Sequence, residues 1–268
     1  MKRLPTEVAR LARQPRGSSR APRRAGPAAL VRGVAACLAL LSLWPAIGLA
    51  QRTAERGAVS PRLAAPAAPP EPEVRVARWH YPGGGDWYAN PSSLPNWLRE
   101  FTARTGIPAA REEVVVTLGS EDLYRYPLLY ATGHGRIALD DRETEALRRW
   151  LQAGGMLWVD DNYGLDRSFR ELAARLFPDT PLARLGSDHA IYHAYYDLPG
   201  LPKIHEHDGE PAQGFGVTRQ GRLLVLYTWS SDIGDGLEDP DVHGDPALVR
   251  EAAARMAVNV LVYALTHP

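Results

Sequence analysis

From Val74 onward the apolar positions recur at two spacings, every second residue and every third or fourth, and each change of spacing marks an element boundary. Val74 to Trp79 alternates as a strand. Asn90-Pro91 offers an N-cap and a first-turn proline; Leu94, Trp97, Leu98 and Phe101 follow at helical spacing, and Gly106 closes that helix. Glu113 to Leu118 is a short β-branched strand, and Tyr126 to Thr132 is apolar enough to be buried on both faces. Asp140 and Glu143 have capping-box spacing ahead of a helix with Ala146, Leu147, Trp150 and Leu151 inward, which Gly154-Gly155 ends. Met156 to Val159 is the next buried strand. Asp166 is placed to cap a helix carrying Phe169, Leu172, Ala173 and Leu176, ending before Pro178. Phe215 to Thr218 and Leu223 to Trp229 flank a turn and form a hairpin. Asp245-Pro246 starts a long final helix with Leu248, Ala252, Met256, Val260 and Leu261 inward.

Strands and helices alternating at these lengths predict an α/β domain over residues 74–268. Its sheet is mainly parallel, with helices on both faces and an antiparallel edge hairpin. Four apolar runs pass directly into polar, glycine-containing turns: His80 to Asn90, Gly133 to Gly135, Asp160 to Gly164, and Ser230 to Gly236. In open α/β sheets ligands bind beyond the carboxyl ends of the strands, so these turns are expected to share one rim.

Charge changes the picture of the amino terminus. Residues 1–62 hold 12 Lys and Arg against two acids, leaving the rest of the chain at a net −10. An acidic domain repels phosphate backbones, so nucleic acid is not an expected partner. The basic leader precedes an apolar run from Gly33 to Ala50 that ends in small residues. Residues 1–50 therefore read as a signal peptide or an amino-terminal membrane anchor, and 51–73 as a Pro/Ala-rich disordered linker. The expected location is exported: periplasmic, or held on the inner membrane facing outward, with the membrane touched only by the amino-terminal segment. Cys37 is the only cysteine and lies in the leader, so the folded domain has no disulfide, thiolate ligand or cysteine nucleophile.

Within the turns, Asp160, Asp161 and Asp86 are candidate catalytic acids or bases. Adjacent acids at a strand end point to opposite faces, so Asp160 and Asp161 are not expected in one pocket. Trp87, Tyr88, Asn90, His134, Asn162, Tyr163 and Asp232 are candidate ligand-binding residues, the aromatic rings beside an acid suiting a carbohydrate or another flat polar ligand. His205 and His207 share a face if their segment is extended and, with His134 and a carboxylate such as Asp160, form a candidate divalent-metal set. The opposing reading gives these histidines to neighbouring acids, and the acids of 230–239 to solvated turns. No Walker lysine, G-x-G-x-x-G fingerprint, HExxH helix or G-x-S-x-G elbow is present.

Taken in order, Tyr-Pro-Gly-Gly with Asp-Trp-Tyr and Asn-Pro, Thr-Gly-His-Gly, Asp-Asp-x-Tyr-Gly, Leu-Pro-Lys-Ile-His-Glu-His and Ser-Ser-Asp with Gly-Asp-Gly resemble a bacterial family, domain of unknown function 4159. The resemblance runs from about Trp79 to Leu265. It places the chain in the class I glutamine amidotransferase-like superfamily, near the ThuA-like proteins. It implies a flavodoxin-like sheet and a cell-envelope setting, and no particular reaction. Where glutaminases carry a cysteine after a central strand, this chain offers Asn162, so glutamine hydrolysis through a thioester is excluded. Three functions remain open, in this order: an exported domain binding a polar ligand, carbohydrate among them, or an envelope protein; a metal-assisted hydrolase; and a structural envelope protein.

Overall fold

The computed structural model describes residues 73–268 apart from 206 and 208. The leader expected over 1–50 and nearly all of the linker expected over 51–73 lie outside the described residues. Among those residues, no helix is long and apolar enough to cross a membrane.

Seven strands form one sheet in the order β2-β1-β3-β4-β7-β6-β5. They are β1 (Val76–Trp79), β2 (Val114–Val116), β3 (Leu128–His134), β4 (Met156–Tyr163), β5 (Ala183–Arg184), β6 (Gln213–Arg219) and β7 (Arg222–Trp229). The first five positions are mutually parallel, and β6 pairs antiparallel with both β7 and β5. The expected hairpin is β6–β7, closed by Gln220 and Gly221, both at positive φ (52° and 80°), the two-residue turn whose twist matches the strands. The parallel part, β2-β1-β3-β4-β7, has the 2-1-3-4-5 order of doubly wound sheets when its strands alone are numbered, and it reverses direction between β1 and β3.

Residue alternation along the strands separates two cores. Val76, Leu128, Tyr130, Met156, Trp158 and Leu226 face α1 (Ser93–Thr105) and α6 (Ala247–Thr266). Ala77, Trp79, Leu129, Ala131, Leu157 and Val159 face α2 (Asp141–Gln152) and α3 (Asp166–Leu176). The capping box at Asp140 and Glu143 is formed in both directions, at 2.7 and 3.0 Å. Two short helices, α4 (Ile233–Leu237) and α5 (Pro240–His243), follow β7.

Several local expectations are corrected. Ser92, not Asn90, is the N-cap of α1; Asn90 adopts φ 54° and its carbonyl accepts from Ser93. Leu165, not Asp166, occupies the N-cap of α3. Leu248 is 84% exposed, because α6 enters the core only from about Ala253, after which nearly its whole circumference is buried. The polar run after Val159 is not a turn: β4 continues through it to Tyr163.

Candidate metal centre

The polar end of β4 stays in the sheet because each side chain finds partners on other elements. Asp160, fully buried, points toward α4: its Oδ1 accepts from Thr228 Oγ1 at 2.5 Å and Ile233 N at 3.2 Å, and its Oδ2 from Gly234 N at 2.6 Å. Burial pushes this carboxyl up to about 7, against the opposing pull of those bonds. Asp161 points the other way, as strand alternation requires, accepting from Leu165 N at 3.0 Å and Tyr227 Oη at 2.8 Å; burial raises its pKa as well. Asn162 returns to the first face. Its Oδ1 accepts from Thr132 Oγ1 at 2.5 Å and Gly133 N at 3.3 Å, and its Nδ2 donates to Asp235 Oδ1 at 3.2 Å. Tyr163, the last strand residue, is largely exposed.

Beyond β7 the chain turns through two non-glycine residues at positive φ, Ser230 at 54° and Asp232 at 67°. Each such residue costs on the order of 1 kcal/mol, a strain tolerated where surrounding contacts over-determine the turn. Here the contacts come from the segment before β6. Ile204 N and His205 N both donate to the Ser231 carbonyl, at 2.9 and 3.3 Å. Ser231 Oγ donates to the Pro202 carbonyl at 2.6 Å, and Lys203 Nζ reaches Ser230 Oγ at 2.8 Å. This stitching sets the histidines of 205–207 over the acids of 232–235.

Those acids are not solvated, contrary to expectation: Asp232 is 0% and Asp235 4% exposed, because α4 lies wholly inside the fold. His207 Nε2 lies 2.5 Å from Asp232 Oδ2, and His205 Nδ1 lies 2.9 Å from Asp235 Oδ2 and 4.0 Å from Asp232 Oδ2. His243, from α5, places Nδ1 3.5 Å from Asp235 Oδ2. Two overlapping groups, His205–His207–Asp232 and His205–Asp235–His243, each bring three ligand atoms within 4.8 Å of one another, a geometry able to hold a metal ion. Asp232 Oδ1 is buried and has no hydrogen-bond partner among the described residues. Burial, reinforced by the nearby Asp235 and Asp160, raises the Asp232 carboxyl well above the usual carboxylate range. Burial also lowers His207, helped by the adjacent His205.

The remaining candidates divide between the rim and the interior. His134 lies in neither histidine–aspartate group. It pairs with Asp86 on the loop after β1, ring Nδ1 3.0 Å from Oδ2, while its backbone N–H donates to Oδ1. Trp87 stacks on His80 with centroids 4.2 Å apart, and Tyr88 stands 64% exposed beside it. Asn90 is buried. The four polar segments thus do meet at the carboxyl ends of the parallel strands, but in two clusters, Asp86–His134 and the group around Asp232.

Sequence reasoning passed over three participants. His243 carried no local signal. Asp235 was visible only as one acid among several. Arg78 was legible as a lone charge inside an apolar strand: it is buried and binds Glu113 at 2.9 Å and the carbonyls of Ala89 and Asn90 at 2.8 and 3.0 Å, anchoring the loop after β1.

A cleft of about 380 Å³ opens beside the metal-competent groups, lined by Asn162, Tyr163, Arg167, His207, Trp229 and Ser230. The Tyr163 and His207 rings lie 5.3 Å apart at its edge. A search of curated proteins finds no match to the chain. Residues 75–265 match the family described as Domain of unknown function (DUF4159), and by that match over most of its length the chain belongs to this family.

Proposed function

We propose that this domain is a divalent-metal-dependent hydrolase acting on a polar substrate in the cell envelope. The observation that carries the reading is Asp232: a fully buried carboxylate with one oxygen lacking any described partner, set against two imidazoles. Leaving a buried polar atom unpaired costs about 1–3 kcal/mol, a cost a cation would remove. Two histidines and one carboxylate suit zinc and leave a coordination position for water or substrate. Asp235, held by Asn162 and touching His205 and His243, supplies the surrounding carboxylate that orients the imidazoles.

A second reading is supported by the cleft itself. With Tyr163 and Trp229 in its lining and Asn162 and Arg167 among its polar groups, it suits a carbohydrate or a similar polar ligand, so binding without turnover is the alternative. Export, by cleaved leader or retained anchor, rests on the composition of residues 1–50. Membership of the class I glutamine amidotransferase-like superfamily, near the ThuA-like proteins, is part of the same proposal, supported by the 2-1-3-4-5 order. The test is zinc-dependent hydrolysis of p-nitrophenyl acetate and bis(p-nitrophenyl) phosphate by the full-length chain. Zinc uptake with turnover supports the hydrolase; uptake without turnover on either probe favours the binding domain; neither removes the hydrolase and leaves the binding domain and the structural envelope protein.

A further inference from the structure

Outside the metal-competent groups, one titratable pair has the geometry of a working unit. Asp86 comes from the loop after β1 and His134 from the end of β3, the two strands between which the sheet order reverses. Asp86 holds His134 at two points, accepting the backbone N–H on one oxygen and facing ring Nδ1 with the other at 3.0 Å. A carboxylate only accepts, so the neutral ring keeps its proton on Nδ1 and turns Nε2 away as a free base. The fold makes a specific accommodation for this pair. Asp86 N donates to the His134 carbonyl and Gly85 N to that of Arg136, so the two segments run side by side. A Cβ on Gly133 would lie 2.6 Å from both the Asp86 carbonyl oxygen and Oδ1, and one on Gly85 2.7 Å from the His134 carbonyl oxygen. Only glycine permits the approach. The imidazole nevertheless keeps 52% of its side-chain surface open. His134 is the cross-strand partner of Tyr163, whose ring lies 5.3 Å from that of His207, so the pair stands on the same rim as the proposed metal ligands.

We propose that His134 is the general acid–base of this site and Asp86 its positioning residue, an inference that rests on the hydrolase reading above. A water in the site gives its proton to His134 Nε2 as its oxygen bonds to the electrophilic carbon or phosphorus. The bond to the leaving group then breaks, and Nε2 returns the proton to the leaving oxygen.

The experiment uses zinc-loaded full-length protein with the two p-nitrophenyl probes. His134→Gln is expected to lower turnover about 10²-fold with zinc affinity unchanged, and added imidazole to restore part of the turnover of His134→Ala. Asp86→Asn is expected to lower turnover and, in ¹⁵N spectra, to convert the single Nδ1–H tautomer of His134 into a mixture. Full turnover in His134→Gln, or zinc affinity lost with His134, would overturn the assignment of His134. An unaltered chain without zinc-dependent turnover would instead overturn the hydrolase reading, and this inference with it.

Discussion

Asp160 and Asp232 are equally buried, yet the fold treats them in opposite ways. Asp160, at the end of β4, has three donors on its two oxygens. Asp232, in the turn after β7, sits at positive φ with one oxygen unpartnered among the described residues and two histidines against the other. The first arrangement returns the cost of desolvation as structure, tying β4, β7 and α4 together. The second leaves that cost standing where a cation would offset it. Burial alone therefore does not mark a functional acid; what distinguishes the two is whether the protein has already supplied the partners.

Substitution should separate them most sharply. Asp160→Ala strands the buried N–H groups of Ile233 and Gly234 and leaves the Thr228 hydroxyl only the Val159 carbonyl at 3.3 Å, and is expected to cost about 3 kcal/mol or more in denaturant unfolding. Asp232→Asn keeps the shape and the tolerance of positive φ. It should leave metal-free stability unchanged or higher, while abolishing the stabilisation of about 2.7 kcal/mol expected for the unaltered chain at zinc a hundredfold above its Kd. If both substitutions destabilise alike and zinc acts alike on both, the contrast fails.

Asp235→Asn probes the shell between the two. It should weaken zinc binding about 10–100-fold, measured by competition with a chromogenic chelator, because the imidazoles lose their orienting carboxylate. The pH dependence of metal-free stability sharpens the comparison further. Asp160 is raised to about 7 in the fold from 3.8, so the folded state holds more protons than the unfolded one between those values. Asp160 should therefore make stability fall as pH rises through about 4 to 7, by up to about 1.4 kcal/mol per unit, and Asp160→Asn should remove that share of the slope, leaving the share of the likewise raised Asp161 and Asp232. The smallest effect belongs to Tyr227→Phe. One hydroxyl proton serves Asp161 at 2.8 Å or Asp166 at 3.0 Å, and its loss should cost about 1 kcal/mol without touching zinc binding.

Much of this is legible in the amino-acid sequence alone. The capping box at Asp140, the β6–β7 hairpin and the alternation that splits Asp160 from Asp161 are local rules acting over a few residues. The rest depended on partners far along the chain. Asp160 to Tyr163 read as a turn because polar residues rarely continue a buried strand, and the groups that keep them there, Thr228, Gly234 and Asp235, lie about 70 residues away. Asp232 and Asp235 read as solvated because nothing in Ile-Gly-Asp-Gly-Leu signals that so short a helix is interior. His205 and His207 were recognisable as a pair, but the acid that joins them to a metal-competent group was Asp232, not Asp160. The glycine-containing turns did not reveal that Gly85, in the loop after β1, and Gly133, in β3, each make room for the other's segment.

The most direct measurement is calorimetric titration of zinc into the metal-free full-length chain and its Asp232→Asn variant. The account predicts about one equivalent bound by the unaltered chain, with binding lost in the variant. Undiminished binding in Asp232→Asn, or none in the unaltered chain, would contradict it.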